Sequence, residues 1–388
     1  MLKFQGISLF FVLSILCTSV YALPEDAADN HTNTLNKEAL NRFGKQIEAA
    51  IANNNPAYVN KVFSKKDFFS KIEIQSRNED IIEFNGGFES GIYHSLNFGE
   101  LIQSQTLGGG KFEYIKTYVR NNEVLLLFRL FTAQGINYHE YVVERHDEKY
   151  YITDVYIYMV GEYVSEGLKR RYLTHFCELL PEDADLFVSK EDYKTYVLLN
   201  KSRAELDKGK VAKALKIWNK IHANYRHKRE VQLLGLQLAS LQSVDMYKDL
   251  KVNFEASFPD DPGFYLFSAN ALFDKKEYEL SLECLDSLDK KVDDPMLDYL
   301  RGTILVEMGN GDRASEAYKR LIDYNPNFEL AYLSLIDIYI KRKEYAEVTV
   351  VLDAMTSNLN YYKSDFQDYL KDYPDFINSS SYKNWINE

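Results

Sequence analysis

Four residues on two aromatic stretches are the chain's candidates for acid–base chemistry. Tyr138, His139 and Glu140 lie together, and Asp154 lies in the stretch 153–158. A carboxylate or imidazole works as an acid or base only with a tuned pKa and a partner within hydrogen-bond reach. Successive strand residues face opposite sides, so alternation decides which of the four converge. Other chemistry is poorly represented. The seven histidines are scattered, with no H-x-H, H-E-x-x-H or C-x-x-C spacing, so neither a metal nor a cofactor is expected. Gly108–Gly110 carries the glycines of a phosphate loop without its tail, since Phe112 follows Lys111 where Ser or Thr is needed. It reads as a turn before a strand. No Ser-His-Asp order or nucleophile elbow stands out. Cys177 and Cys284 have no companion motif and read as small buried hydrophobes, with a disulfide between them the other reading in an oxidising compartment. No residue is assigned as catalytic, and the chain is read as a non-enzyme.

The elements that would carry these residues begin after a polar leader, residues 23–36. Asn36 can cap a helix with Leu40, Phe43, Ile47, Ala50 and Ile51 at helical spacing. Asn55 and Pro56 open a second helix, whose apolar stripe runs through Val59, Val62, Phe63, Phe69 and Ile72. A further helix around Asp80–Phe98 meets Gly86, Gly87 and Gly91, which argue for interruptions. From residue 111 the texture is β: Phe112–Arg120, Val124–Phe131, Tyr138–Arg145 and Tyr150–Val160 alternate with turn residues. Two helices followed by an antiparallel meander make an α+β domain over residues 37–165, its sheet burying one face against the helices. That order resembles the NTF2-like cone, a curved sheet wrapped around helices. The resemblance implies a pocket, for which Tyr138, His139 and Asp154 are the candidate lining. Small-molecule binding or enzymatic activity there is the alternative function.

At the N-terminus a single Lys3, an apolar run from Ile7 to Leu16, and small residues at Val20 and Ala22 have the layout of a secretory signal peptide. Cleavage after Ala22 is expected, giving an exported protein of the periplasm or the cell exterior. No later stretch reaches the roughly 18 apolar residues of a membrane-spanning helix. The formal charge of −12 makes nucleic acid a poor partner.

A connecting helical segment is expected over 166–194, and self-similarity at 33 to 34 residues dominates 195–362, with units beginning near 195, 228, 262, 295 and 329. Ala314, Tyr318, Leu321 and Pro326 fall at one set of offsets. Tyr332, Leu335 and Tyr339 fall at the next, and Tyr265, Ala269, Leu272, Tyr278, Leu285 and Leu288 repeat the pattern earlier. Leu234, Gly235, Leu238 and Pro259, with Ala214 and Trp218, mark weaker units before them. This pattern resembles the tetratricopeptide repeat of exported bacterial proteins. Each unit is then a helical hairpin that hides its apolar face only against a neighbour. Arg301 departs from the pattern where Leu is usual. Residues 363–388, with Phe366, Tyr369, Leu370 and Trp385, suit a capping segment.

The resemblance implies an all-α superhelix whose first helices line a groove for a protein or peptide. Carried onto this chain, that face would present Leu266, Asn270, Phe273, Tyr299, Thr303, Asp337 and Lys341. Phe273 and Tyr299 offer the aromatic anchors that dominate hot spots. A non-catalytic exported scaffold that holds a protein partner is the resulting expectation.

Overall fold

The computed structural model describes residues 36–387. The expected signal peptide, residues 1–22, and all but Asn36 of the expected leader lie outside the described residues. The chain divides into two compact units, one ending at Ala271 and the other running from Leu272.

In the first unit, Asn36 opens α1 (Lys37–Ala52), its side chain accepting a hydrogen bond from the Ala39 N–H at 3.0 Å. The helix buries Leu40, Phe43, Ile47, Ala50 and Ile51, the row that its spacing predicts. There follow α2 (Pro56–Val62), α3 (Lys65–Ser70), α4 (Glu79–Ile92) and α5 (Phe98–Thr106). Among the described residues five helices, not two, therefore precede the sheet. The extra ones are short or rich in glycine, which hides their periodicity. Gly86, Gly87 and Gly91 do not interrupt α4, and a side chain at any of them would meet open space.

The sheet is an antiparallel meander in the order β1 (Lys111–Arg120), β2 (Glu123–Thr132), β3 (Gly135–His146), β4 (Lys149–Ile157) and β5 (Glu162–Tyr163). Its first face carries Phe112, Tyr114, Leu126, Phe128, Tyr141, Val143, Ile152 and Ile157, in one core with Phe43, Ile47, Phe63 and Phe98. The rings touch in sequence: Phe63–Phe98 at 4.6 Å, Phe112–Phe128 at 4.7 Å and Phe128–Tyr141 at 4.9 Å. The expectation of one covered face is corrected here. Leu125, Leu127, Tyr138, Glu140, Tyr156 and Tyr158 on the other face are buried as well.

Two bulges set which residues belong to which face. Ile115 is the extra residue between Tyr114 and Lys116, and Thr153 the extra one opposite the step from Val142 to Val143. The helices α6 (Val164–Leu179), α7 (Pro181–Ala184), α8 (Lys190–Asp207), α9 (Val211–Trp218), α10 (Arg229–Gln242), α11 (Val244–Ser257) and α12 (Tyr265–Asp274) follow. Segments around α10 come back to the sheet. The Tyr156 hydroxyl donates to Asp261 at 3.1 Å, and Arg229 donates to the Gly161 carbonyl at 2.7 Å. The Arg120 and Arg229 guanidinium groups each lie about 6 Å from the Tyr156 ring.

The second unit holds α13 (Tyr278–Val292), α14 (Leu297–Glu307), α15 (Gly311–Tyr324), α16 (Glu329–Lys341) and α17 (Tyr345–Leu359). The chain ends in α18 (Gln367–Leu370), α19 (Pro374–Ile377) and α20 (Ser380–Asn387). Antiparallel packing joins α14 to α15 and α16 to α17, and α15 also packs on α16. Ala314, Ala317, Tyr318 and Leu321 of α15 and Ala331, Tyr332, Leu335 and Ile336 of α16 are buried. Arg301, which stands where Leu is usual, is met by Asp286, Asp289 and Asp298 at 2.8–3.2 Å. Phe366, Leu370, Phe376 and Trp385 are buried at the C-terminal end, the Trp385 indole donating to Asp353 at 2.6 Å. Cys177 is half-buried and Cys284 buried, and neither is in a disulfide among the described residues.

At Gly302 the α14 backbone lies directly against the Tyr318 ring of α15. A methyl group there would lie 2.6 Å from the Tyr318 ring. Gly302→Ala gains about 1 kcal/mol of helix propensity and loses about 1–3 kcal/mol to overpacking. The expected result is a lower thermal unfolding midpoint for the second unit. A variant that melts at or above the parent temperature would contradict the close approach.

Candidate functional site

The first candidate site does not converge. His139 pairs with Phe128 and Ile157 on the helix-covered face, whereas Tyr138 pairs with Arg129 and Asp154 with Val142 on the other. The sheet itself separates the imidazole from Tyr138 and Asp154. Asp154 is occupied: it accepts from the Ser165 hydroxyl, and from the backbone N–H groups of Ser165 at 3.2 Å and Val155 at 2.9 Å. Burial pushes its carboxyl up to about 6, against the pull of Lys71 and of the Ser165 hydrogen bonds. His139 is buried near Asn137, 3.4 Å away, and burial pushes its imidazole down to about 4. Beside it the Tyr141 hydroxyl is buried with no hydrogen-bond partner.

Glu140 is the centre of the opposite face. Its side chain has no exposed surface, and it accepts hydrogen bonds from the Tyr118 and Tyr158 hydroxyls and from both Nη atoms of Arg120. Every donor faces the carboxylate, which is how a buried charge survives. Three of these bonds fall on Oε1 and one on Oε2, and with no exposed surface the carboxylate is closed to another molecule.

The second candidate site is the row carried over from the repeat resemblance. Leu266 and Asn270 lie in the first unit. Leu266 is fully buried and belongs to the core, a correction to its expected place in a groove. The amide of Asn270 donates to the Leu266 carbonyl of its own helix at 2.9 Å. The other five lie in the second unit. Phe273 is half-buried and packs on Tyr278 at 5.8 Å. Tyr299 packs on Phe328 at 5.2 Å, and burial pushes its hydroxyl up to about 12.

Thr303 lies one turn along α14 from Tyr299 and bonds its carbonyl at 2.9 Å. The Tyr318 hydroxyl stands 3.3 Å from Thr303 and is also bonded by Ser334. Asp337, expected to be open to a partner, receives the hydroxyls of Tyr373 at 2.7 Å and Tyr369 at 3.2 Å. That oxygen is engaged by the chain's own C-terminal segment. Lys341 is exposed.

Tyr318, Ser334 and Tyr373 were not read from sequence as part of this row. Tyr318 falls on a packing position of the template, and the four-residue spacing of Tyr369 and Tyr373 was the available signal. An open groove of about 800 Å³ lies nearby, lined by Asp312, Lys319, Tyr339, Arg342, Tyr345 and Glu347 among others. Its charges largely neutralise each other, Arg342 meeting Asp312 at 2.6 Å and Glu344 at 2.9 Å. Among the described residues no group of three or more His, Cys, Asp or Glu is placed to hold a metal ion, and no helix is long and apolar enough to cross a membrane.

Paired helices with small residues at their closest approach, at this spacing, are a known arrangement. Residues 299–347 match the tetratricopeptide repeat family. The matched stretch runs from α14 into α17 and contains Gly302, Ala314, Tyr318, Tyr332 and Leu335. Solved structures similar to the chain include a crystal structure of MamA protein, 18% identical, with 45% of this chain and 96% of that chain covered and a TM-score of 0.35. Another is the MamA RS-1 ArsTM double mutant, 17% identical over 44% and 98%, with a TM-score of 0.34. Pseudomonas aeruginosa PilF is 13% identical over 51% and 99%, with a TM-score of 0.31. No curated protein matches the chain in sequence.

The sheet of the first unit offers two tests. His139 has a folded pKa of about 4, below its ordinary value, so the unfolded chain takes up the proton more readily. Its contribution is complete above about pH 6.5 and is lost as pH falls toward 4, at about 1.4 kcal/mol per unit. Urea midpoints of the parent should therefore fall faster between pH 7 and 4.5 than those of His139→Phe. Parallel slopes would contradict the burial. Tyr141→Phe removes an unsatisfied hydroxyl and should raise stability by about 1 kcal/mol at pH 7. A loss instead would mean that the hydroxyl has a partner.

Proposed function

We propose that the chain is an exported, non-catalytic scaffold whose tetratricopeptide hairpins hold a protein or peptide segment. The match at 299–347 carries this reading, because stacked helical hairpins present extended surfaces suited to holding chain segments. Phe273, Tyr299, Thr303 and Lys341 are the proposed contact row. Tyr299 and Thr303 form its half-buried part and Lys341 its exposed end. Export rests on the signal-peptide layout of residues 1–22. The α+β layer at 37–165 is proposed to be a variant of the NTF2-like cone. Its ring-filled helix face supports a platform in place of a ligand pocket.

The test is affinity purification from the native cells with the parent chain and with Phe273→Ala/Lys341→Glu. A hot-spot pair should reduce the recovered partner about tenfold while the thermal midpoint holds nearly constant. The purified chain should begin at Leu23. Undiminished recovery by the double variant would remove the contact row, and an intact Met1 would remove the export.

A further inference from the structure

The first unit carries an apolar cluster that the repeats do not explain. Ile82 on α4, Leu179 on α6, and Leu186 and Phe187 just after α7 are 54%, 66%, 79% and 45% exposed. These elements adjoin each other. The Asn78 amide donates to Asp183 at 3.0 Å, Phe84 of α4 meets Phe176 of α6 at 5.5 Å, and Phe187 meets the same Phe176 at 6.1 Å. Ile82 lies one turn along α4 from Asn78. Exposed apolar side chains gathered in one place mark contact surfaces, whereas scattered ones need no explanation.

The charges around the cluster are predominantly acidic. From 78 to 83 the chain carries Glu79, Asp80 and Glu83, and from 178 to 188 it carries Glu178, Glu182, Asp183 and Asp185, against the single flanking cations Arg77 and Lys190. Except for Asp183 all are exposed. Their field is felt locally: the Cys177 thiol is pushed up to about 11, by burial first and then by Asp185 and Glu178. Anionic lipid and nucleic acid are repelled by such a rim, as is an identical copy of it.

We propose that this acid-rimmed apolar surface on α4, α6 and α7 docks a cationic amphipathic segment of a partner protein. The apolar side of such a segment covers Ile82, Leu179, Leu186 and Phe187, while its Lys or Arg residues meet the surrounding carboxylates. The surface is independent of the tetratricopeptide row and survives the failure of that reading.

The probe is a fluorescent amphipathic helix of Leu and Lys, titrated with the mature chain by anisotropy. A Leu and Glu helix of the same apolar face serves as the control. Two variants are compared after circular dichroism and melting have checked their folds: Leu179→Ser/Leu186→Ser, and Glu182→Lys/Asp185→Lys. The proposal expects saturable binding of the Lys helix, weakened about tenfold or more in each variant and by added salt, with no binding of the Glu helix. Should the serine variant misfold, the charge-reversed variant, altered only at exposed positions, decides. Equal binding by the variants overturns the proposal, as does equal binding of the Glu helix. So does a concentration-dependent dimer in sedimentation that the serine variant disperses, since the occupant would then be a second copy.

Discussion

Six consecutive residues of β2, Leu125 to Leu130, are withdrawn from water, so this strand has to be covered on both faces. An antiparallel sheet commonly leaves one face to solvent. Here the first face is closed by the N-terminal helices, and the second is approached by chain that lies far downstream, at Arg229 and Asp261. The second face is not simply greasy. It holds Glu140, whose carboxylate is tolerated because two phenols and a guanidinium surround it. Removing any one donor would expose part of an ion to an apolar environment, which is costlier than losing a contact between neutral groups. The unit that ends at Ala271 is thus held by apolar pressure on one side of the sheet and by a polar network on the other.

Much of this was legible in the residues. The α1 row, the Asn36 cap and four strands follow from spacing and turn chemistry, and the observed strand ends differ by a few residues at most. The glycines of α4 misled, because glycine lowers helix propensity without forbidding a helix whose exposed side needs no side chain. Covering of the second face was latent in the nearly continuous apolar run of β2, which a half-solvated strand would not carry. Alternation separates His139 from Tyr138 and Glu140 but could not place Asp154, which follows the extra residue Thr153. A bulge shifts the phase of a strand, and no residue type announces one.

The repeat region was readable for a different reason. Its pattern recurs, so each position is seen several times, and a departure such as Arg301 stands out against the others. The structure supplies its compensation in three aspartates drawn from α13 and α14. Contact positions were less legible than packing positions. Leu266 shares the spacing of a surface residue and is core, and Asp337 is engaged by tyrosines from beyond the last repeat. Sequence spacing identifies the side of a helix, but what lies across from that side depends on segments outside the period.

The bulges at Ile115 and Thr153 reach further than their local geometry. Counting in steps of two from Tyr114 would send Tyr118 and Arg120 toward the helices, and counting from Ile152 would send Tyr158 the same way. One surplus residue in each strand turns all three toward Glu140. Deleting Ile115 would therefore not merely shorten a strand. It would rotate a phenol and a guanidinium into hydrocarbon and leave an anion stranded behind them, so the chain's tolerance of a missing residue should be lowest where that residue pairs with nothing.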